Sequence, residues 1–353
     1  MKRGVPTIKA LVYKGLKKIV LEDIMQPMPN KNELLIKVRA IGICGSDFEG
    51  YLGKTGRKIP PMIMGHEFSG EIEKIGNNSK LKKGDRVVIY PKLYCGKCNF
   101  CNRGLTNLCP NSEFLGVLSK NGGMVDYVTI NEEYVFKVNK NIPFKEASLV
   151  EPLAVAYSAV NKIKIQDLQN SRYLLIIGAG TIGLLILQLL KLKKVGNIII
   201  SDLYDYRLEK AKELQADFII NPKKNDFFEE IKKITKGNLV DYSFEAVGFS
   251  ASASQSLEIL KPGGTAIWVG NAQKIIEINM QKIVTNEINI KGNYIYTKED
   301  FANSLKLVED RKINFESIIS LEEKFENGVS AFKKLEQNIN GEIIKIVLIN
   351  NFD

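Results

Sequence analysis

Four cysteines, Cys95, Cys98, Cys101 and Cys109, fall within fifteen residues at the spacing C-x2-C-x2-C-x7-C, and a fifth, Cys44, stands alone. Thiolates two residues apart can converge on one tetrahedral ion at ~2.3 Å, and a closed four-sulfur shell is the structural zinc pattern. Gly96 frees the first turn, and Lys97 eases the charge of four thiolates on one divalent ion. Four free buried cysteines, or a zinc knuckle on nucleic acid, are the competing readings. The second has no arginine cluster to support it.

The single histidine, His66, sits in Gly65-His66-Glu67-Phe68-Ser69-Gly70. Cys44 precedes it in Gly42-Ile43-Cys44-Gly45-Ser46-Asp47, and Glu151 follows in Val150-Glu151-Pro152-Leu153. Thiolate, imidazole and carboxylate are ligand types of a catalytic zinc that keeps one position open for water or substrate. Taken singly, His66 reads equally as a satisfied core or surface residue and Cys44 as a small buried hydrophobe. Their occurrence beside a four-cysteine cluster favours metal.

Further along, Tyr173-Leu174-Leu175-Ile176-Ile177 is an unbroken apolar run, as expected of a buried parallel strand. Gly178-Ala179-Gly180-Thr181-Ile182-Gly183 follows at once, then a leucine-rich helical stretch over 184–192. GxGxxG between strand and helix is the dinucleotide fingerprint: the glycines allow a tight turn, and the helix N-terminus favours the pyrophosphate. A second strand over 197–202 ends in Asp202, about twenty residues after the last glycine, where an acceptor for the adenosine ribose hydroxyls belongs. A carboxylate there selects NAD over NADP, although nearby Arg207 pulls the other way.

These groups need elements to hold them. Helices are expected near 205–214, 226–235 and 251–260, and strands over 217–220, 239–245, 265–269 and 287–292, with a turn at Pro262-Gly263-Gly264. That alternation predicts a doubly wound parallel sheet. Residues 10–150 instead hold short strand-like runs broken by glycine, such as 33–38 and 85–89, and read as an irregular β-rich domain. The tail offers helices near 298–309 and 325–338 and a last strand over 343–348.

With these residues in order, the chain resembles the zinc-dependent medium-chain alcohol dehydrogenases. Gly65-His66-Glu67, Gly70, Gly76 and Ser79 are similar to that family's zinc signature, and residues 95–109 to its structural-zinc lobe. The motifs around Cys44 and Glu151 resemble its polyol branch, the sorbitol and galactitol-1-phosphate dehydrogenases. The resemblance implies an α/β fold in which a Rossmann domain (155–293) is inserted in a GroES-like catalytic domain (1–154 and 294–353), with the active site between them. It implies Cys44, His66 and Glu151 as catalytic zinc ligands, with Glu67 bound directly or alternating with water, and a second, structural zinc on the four cysteines. It gives Ser46 the first step of a proton relay and places Val269, Gly270 and Asn271 on the nicotinamide side. One departure stands out: relatives carry a histidine shortly after the Ser-Asp pair, where Ser46-Asp47-Phe48-Glu49 has none. Glu49 or water must then take the proton.

The implied reaction is oxidation of a secondary alcohol to a ketone, with hydride passing to NAD. Substrates in view are a polyol, a polyol phosphate and, as an alternative, L-threonine. Lys54, Arg57, Lys58 and Lys120 would meet a phosphate if they face the cleft, although each reads more simply as a solvated surface residue. An arginine–tyrosine pair typical of sorbitol enzymes reads Ile295-Tyr296 here, which disfavours plain sorbitol chemistry. A nucleotide-binding pseudoenzyme is the non-catalytic alternative.

Composition bounds all this. The 353 residues, 44% hydrophobic and 25% charged, suit a soluble chain of about two domains and exclude disordered and collagen-like classes. No apolar run approaches the ~20 residues of a membrane span, and the basic N-terminus, Met1 to Lys9, lacks the apolar stretch of a secretory signal. A cytoplasmic enzyme is expected. The 50 Lys and Arg against 40 Asp and Glu are scattered and read as a solvated surface that decides no function; the resemblance is what implies a small-molecule partner and not nucleic acid. The family implies a homodimer or homotetramer.

Overall fold

The computed structural model describes residues 6–76, 79–118 and 120–352; the first five residues of the basic N-terminal stretch lie outside them. Six parallel strands form one sheet: Tyr173–Ile177, Asn197–Ser201, Phe218–Ile220, Val240–Glu245, Leu260–Trp268 and Asn289–Gly292. Numbered in chain order they lie 3-2-1-4-5-6, the order of a dinucleotide-binding fold. Helices Thr181–Leu192, Asp205–Glu213, Phe227–Thr235 and Ser250–Glu258 alternate with them. Leu174, Leu175 and Ile176 are fully buried, because helices cover both faces of the central strand.

Two details differ from expectation. The helix after the glycines begins at Thr181, not at 184, because Gly180 already serves as its N-cap. The fifth strand runs through Pro262-Gly263-Gly264: Val240 pairs with Leu260 but Tyr242 with Thr265, so the extra residues bulge within one strand. Gly263, at φ 75°, takes the left-handed conformation that the bulge requires.

A second, mostly antiparallel sheet is centred on Glu33–Gly42. It pairs with Glu67–Lys74 on one side and Lys345–Ile349 on the other, with Tyr127–Asn131 joined along its first half. The last strand of the chain therefore returns to a sheet built from its first third. Strand Ile319–Lys324, parallel to that last strand, was not anticipated: it is an edge strand with no buried residue, so it carries no apolar signature. The tail helices run over Lys298–Glu309 and Gly328–Glu336.

One apolar core runs from this sheet through helix Val150–Val160 into one face of the parallel sheet, and a second core fills the other face. That helix crosses residue 154 without a break, so the two sheets are bridged by a rigid element. Among the described residues, no helix is long and apolar enough to cross a membrane.

Candidate metal and nucleotide site

Strand register assembles the metal donors. Gly42 ends one strand opposite Glu67, which begins its antiparallel partner, so Cys44 and His66 emerge at the same sheet end. Gly42 must lack a side chain, because the Glu67 carboxylate lies where a Cβ would stand. Lys345, first residue of the last strand, reaches the same place, and its ammonium donates to both Glu67 oxygens at 2.8 and 2.9 Å and to Ile43 O at 3.0 Å.

Donor atoms of Cys44, His66 and Glu67 all lie within 4.8 Å of one another. Glu151 lies outside that trio. It occupies the first turn of helix Val150–Val160, where its Oε1 accepts a 2.5 Å hydrogen bond from the Tyr296 hydroxyl. Ser46 Oγ donates to Cys44 Sγ at 3.4 Å. Phe114 packs edge-on against the His66 ring at 5.5 Å.

Electrostatics favour a cation here. Burial, then Glu67, pushes the Cys44 thiol up to about 11 against the pull of Lys345. Burial likewise raises Glu151 to about 8, with Glu67 and Cys44 adding to it. Burial alone lowers Lys345, but Glu67 and Cys44 more than reverse that. Ionising Cys44, Glu67 and Glu151 together leaves charge that one lysine cannot balance, whereas a divalent cation can. The donor set therefore fits zinc.

The four-cysteine lobe fits it as well. Cys98 Sγ lies 3.5 Å from Cys101 Sγ and 3.9 Å from Cys109 Sγ, and Cys109 Sγ lies 3.6 Å from Cys95 Sγ. Sulfurs at ~2.3 Å from one tetrahedral ion would be ~3.8 Å apart.

At the nucleotide motif, Gly183 packs so closely on the Gly178 carbonyl that no Cβ fits. Asp202 Oδ2 accepts from Ala179 N at 2.7 Å and Oδ1 from Tyr204 N at 3.0 Å, which pins the acid to the glycine turn. Arg207 donates to Gly341 O at 3.0 Å and stands 3.9 Å from Asp202. Thr181 Oγ1 donates to Ile344 O at 3.2 Å. Ile182 packs half-buried against the core, and Val269 and Asn271 line a cleft of about 450 Å³ with Asn293 and Tyr294.

Sequence reasoning gave no role to several residues that the structure brings to the site. Lys345 was legible only as a charge within an apolar strand, Ile343-Ile344-Lys345-Ile346-Val347. Tyr296 was marked only as the retained half of an arginine–tyrosine pair, with no hint of its bond to Glu151, and the loop through Gly341 gave no local signal. Lys58, read as a solvated lysine or, if it faced the cleft, a phosphate contact, is instead buried with its ammonium on Asp47 and Gly116 O. Lys120 pairs with Glu113 at 2.8 Å.

Comparison with known proteins places the chain. Residues 30–140 match the alcohol dehydrogenase GroES-like domain, and residues 181–310 match the zinc-binding dehydrogenase domain. The chain belongs to the zinc-binding alcohol dehydrogenase family, within its polyol branch, and is an oxidoreductase of that family. Among its relatives, sorbitol dehydrogenase of Bacillus subtilis is 34% identical over 98% of each chain. D-arabitol-phosphate dehydrogenase of Enterococcus avium is 31% identical over 96% of this chain and 95% of that one. The crystal structure of 2R,3R-butanediol dehydrogenase from Bacillus subtilis superposes with a TM-score of 0.85 at 30% identity, covering 98% of this chain and 100% of that one.

Proposed function

We propose that this protein is a zinc-dependent, NAD-linked dehydrogenase that oxidises a secondary alcohol of a polyol or polyol phosphate to a ketone. One run of contacts carries the reading: Thr181 of the nucleotide turn bonds Ile344 O, and the adjacent Lys345 grips Glu67 of the metal-donor trio. The nucleotide motif and the metal donors thus meet at two adjacent residues, Ile344 and Lys345, where the last strand begins.

Cys44, His66, Glu67 and Glu151 would hold the catalytic ion, and Cys95, Cys98, Cys101 and Cys109 a structural one. When bound, zinc supplies the Lewis acidity that lets an alcohol lose its proton near neutral pH, and NAD supplies the hydride acceptor. Ser46, with its hydroxyl beside Cys44, receives the substrate proton. Half-buried Glu49, three residues along the same short helix, passes it to solvent; burial holds its carboxyl above the usual range against Lys54 and Arg57. Asp202 accepts from the adenosine ribose, which favours NAD. Gly178, Gly180 and Gly183 admit the pyrophosphate. Val269 and Asn271 border the nicotinamide.

A phosphorylated substrate finds fewer cations than the sequence suggests, because Lys58 is buried and Lys120 is paired. Lys54 and Arg57 remain, both exposed beside Glu49, and the arabitol-phosphate relative supports keeping this class. The division into 1–154 with 294–353, and 155–293, goes with this reading. So does a second copy on the exposed edge strand Asn289–Gly292, next to exposed Met280 and Val284. Five free cysteines suit the reducing cytoplasm.

An NAD-reduction screen over polyols, polyol phosphates and L-threonine tests the proposal. Cys44→Ala or His66→Ala is expected to abolish turnover; full activity in a zinc-free His66→Ala variant would falsify the mechanism. Equal kcat/KM for a polyol and its phosphate would remove the phosphate class.

A further inference from the structure

We propose that Lys58 is a positioning residue of the metal-donor cluster: its buried ammonium fixes the Asp47 carboxylate opposite His66 Nδ1 and so sets how the imidazole faces the ion. The inference rests on the reading above that Cys44, His66 and Glu67 hold a divalent metal.

The Lys58 side chain is 1% exposed and that of Asp47 is fully buried. Lys58 Nζ donates to Asp47 Oδ1 and to Gly116 O, each at 2.5 Å. Room for its stem exists because Gly50 has no Cβ to collide with it. The other Asp47 oxygen accepts from Cys44 N at 3.3 Å. Oδ1 also lies 3.7 Å from His66 Nδ1, beyond hydrogen-bond distance, and that buried nitrogen has no hydrogen-bond partner among the described residues. One carboxylate therefore faces both first donors of the cluster, through the backbone of Cys44 and the ring of His66.

The second bond of Lys58 acts on the same turn. Gly116, at φ 70°, packs against the backbone of Gly65, the residue before His66. Leu118 N bonds Arg57 O at 2.6 Å, and Ile59 N bonds Leu118 O at 3.2 Å. Lys58 thus ties together the Cys44 loop, the His66 turn and the 116–118 loop.

A histidine ligand is oriented by what its other nitrogen faces, and such outer partners are commonly worth 10- to 100-fold in metal affinity. An ammonium holding that partner differs from a plain packing group in one respect. Removing one member of a buried ion pair strands the other charge, whereas removing both does not. Lys58 and Asp47 must then be non-additive.

The test is zinc retained per full-length chain after dialysis against graded chelator, with His66→Ala marking the catalytic ion. Wild type is expected to hold two ions, and Lys58→Met to release one of them at about 10- to 100-fold lower chelator. The four-cysteine ion should stay in place and report an intact fold. Asp47→Asn should weaken the same ion, and Lys58→Met with Asp47→Asn should be no weaker than either single variant. Wild-type retention in Lys58→Met, or additive losses in the double variant, overturns the inference alone. A wild type with only the four-cysteine ion overturns the metal reading and the inference with it. If Lys58→Met does not fold, Asp47→Asn and the double variant decide: equal retention supports the role of Lys58, and a further loss overturns it.

Discussion

The Tyr296 hydroxyl donates a 2.5 Å hydrogen bond to Glu151 Oε1 between two fully buried groups contributed by segments 145 residues apart. The Tyr296 ring is fixed from its own side by Tyr90 and Phe301, each with its ring centroid 5.8 Å away. The bond therefore comes from a clamped ring rather than a mobile one. Tyr296→Phe keeps the ring packing and strips Glu151 of its donor. Loss of a hydrogen bond to a buried carboxyl group is expected to cost ~1–3 kcal/mol in urea unfolding. A fall in kcat/KM with unchanged affinity for NADH would place the effect on Glu151. Unchanged turnover would leave the tyrosine a purely structural part.

Without an ion, Cys44 sits at about 11 and Glu151 at about 8, with burial the first cause for each. Both raised values lie above neutral, so both groups carry protons at pH 7, and a metal that needs them ionised must displace those protons. Affinity at the His66-dependent zinc site is expected to weaken as pH falls from about 8 to 6, roughly tenfold per unit for each proton displaced. Chelator competition across that range measures the slope. A flat profile would remove both groups as proton-bearing ligands.

Asp202 is pinned by Ala179 N and Tyr204 N, so it shapes the glycine turn, and the proposed function sets it against the adenosine ribose. Asp202→Ala is expected to raise KM for NAD about tenfold or more and to narrow the preference over NADP, since the carboxylate that repels a 2′-phosphate is gone. Steady-state kinetics with both cofactors reads the ratio. A preference that does not move would detach Asp202 from cofactor choice.

Asp241 accepts from Arg172 N at 2.8 Å and Tyr173 N at 3.0 Å and pairs with Lys261 at the start of the central parallel strands. Burial pushes its carboxyl up, but Lys261 and the two peptide donors more than offset this and hold it below the usual range. A carboxylate depressed in the folded state binds fewer protons there than when unfolded. Its stabilisation is thus present above the ordinary value of about 4 and is lost as pH falls below it. Asp241→Asn is expected to cost ~1–3 kcal/mol at pH 7 and to flatten the acid loss of stability. Urea midpoints near neutral and near about pH 3 compare the two; parallel losses in both proteins would remove Asp241 from the acid limb.

The two cysteine and histidine motifs were legible because metal ligands must be particular side chains at short, fixed spacings. The glycine motif was legible because a strand, a tight turn and a helix N-terminus follow one another along the chain. Both are local constraints, and local constraints leave marks in sequence. The unbroken apolar run at 173–177 marked a strand covered on both faces in the same way. The helix start at Thr181 and the bulge at Gly263 lay within a few residues of expectation, because caps and bulges are decided by neighbours that a single chain does not display.

What the chain determined by itself was which atoms can bind metal and which turn can admit a dinucleotide. Only the tertiary structure decided how those atoms are charged and aimed. Lys58 reads as one more surface lysine until folding buries it on Asp47, and Lys345 lies 278 residues from the carboxylate it holds. Tyr296 becomes a partner of Glu151 only when the segment after the last parallel strand meets the helix at 150–160. Charges buried far from their sequence neighbours must be balanced by whatever packing brings to them, and packing is a property of the whole fold.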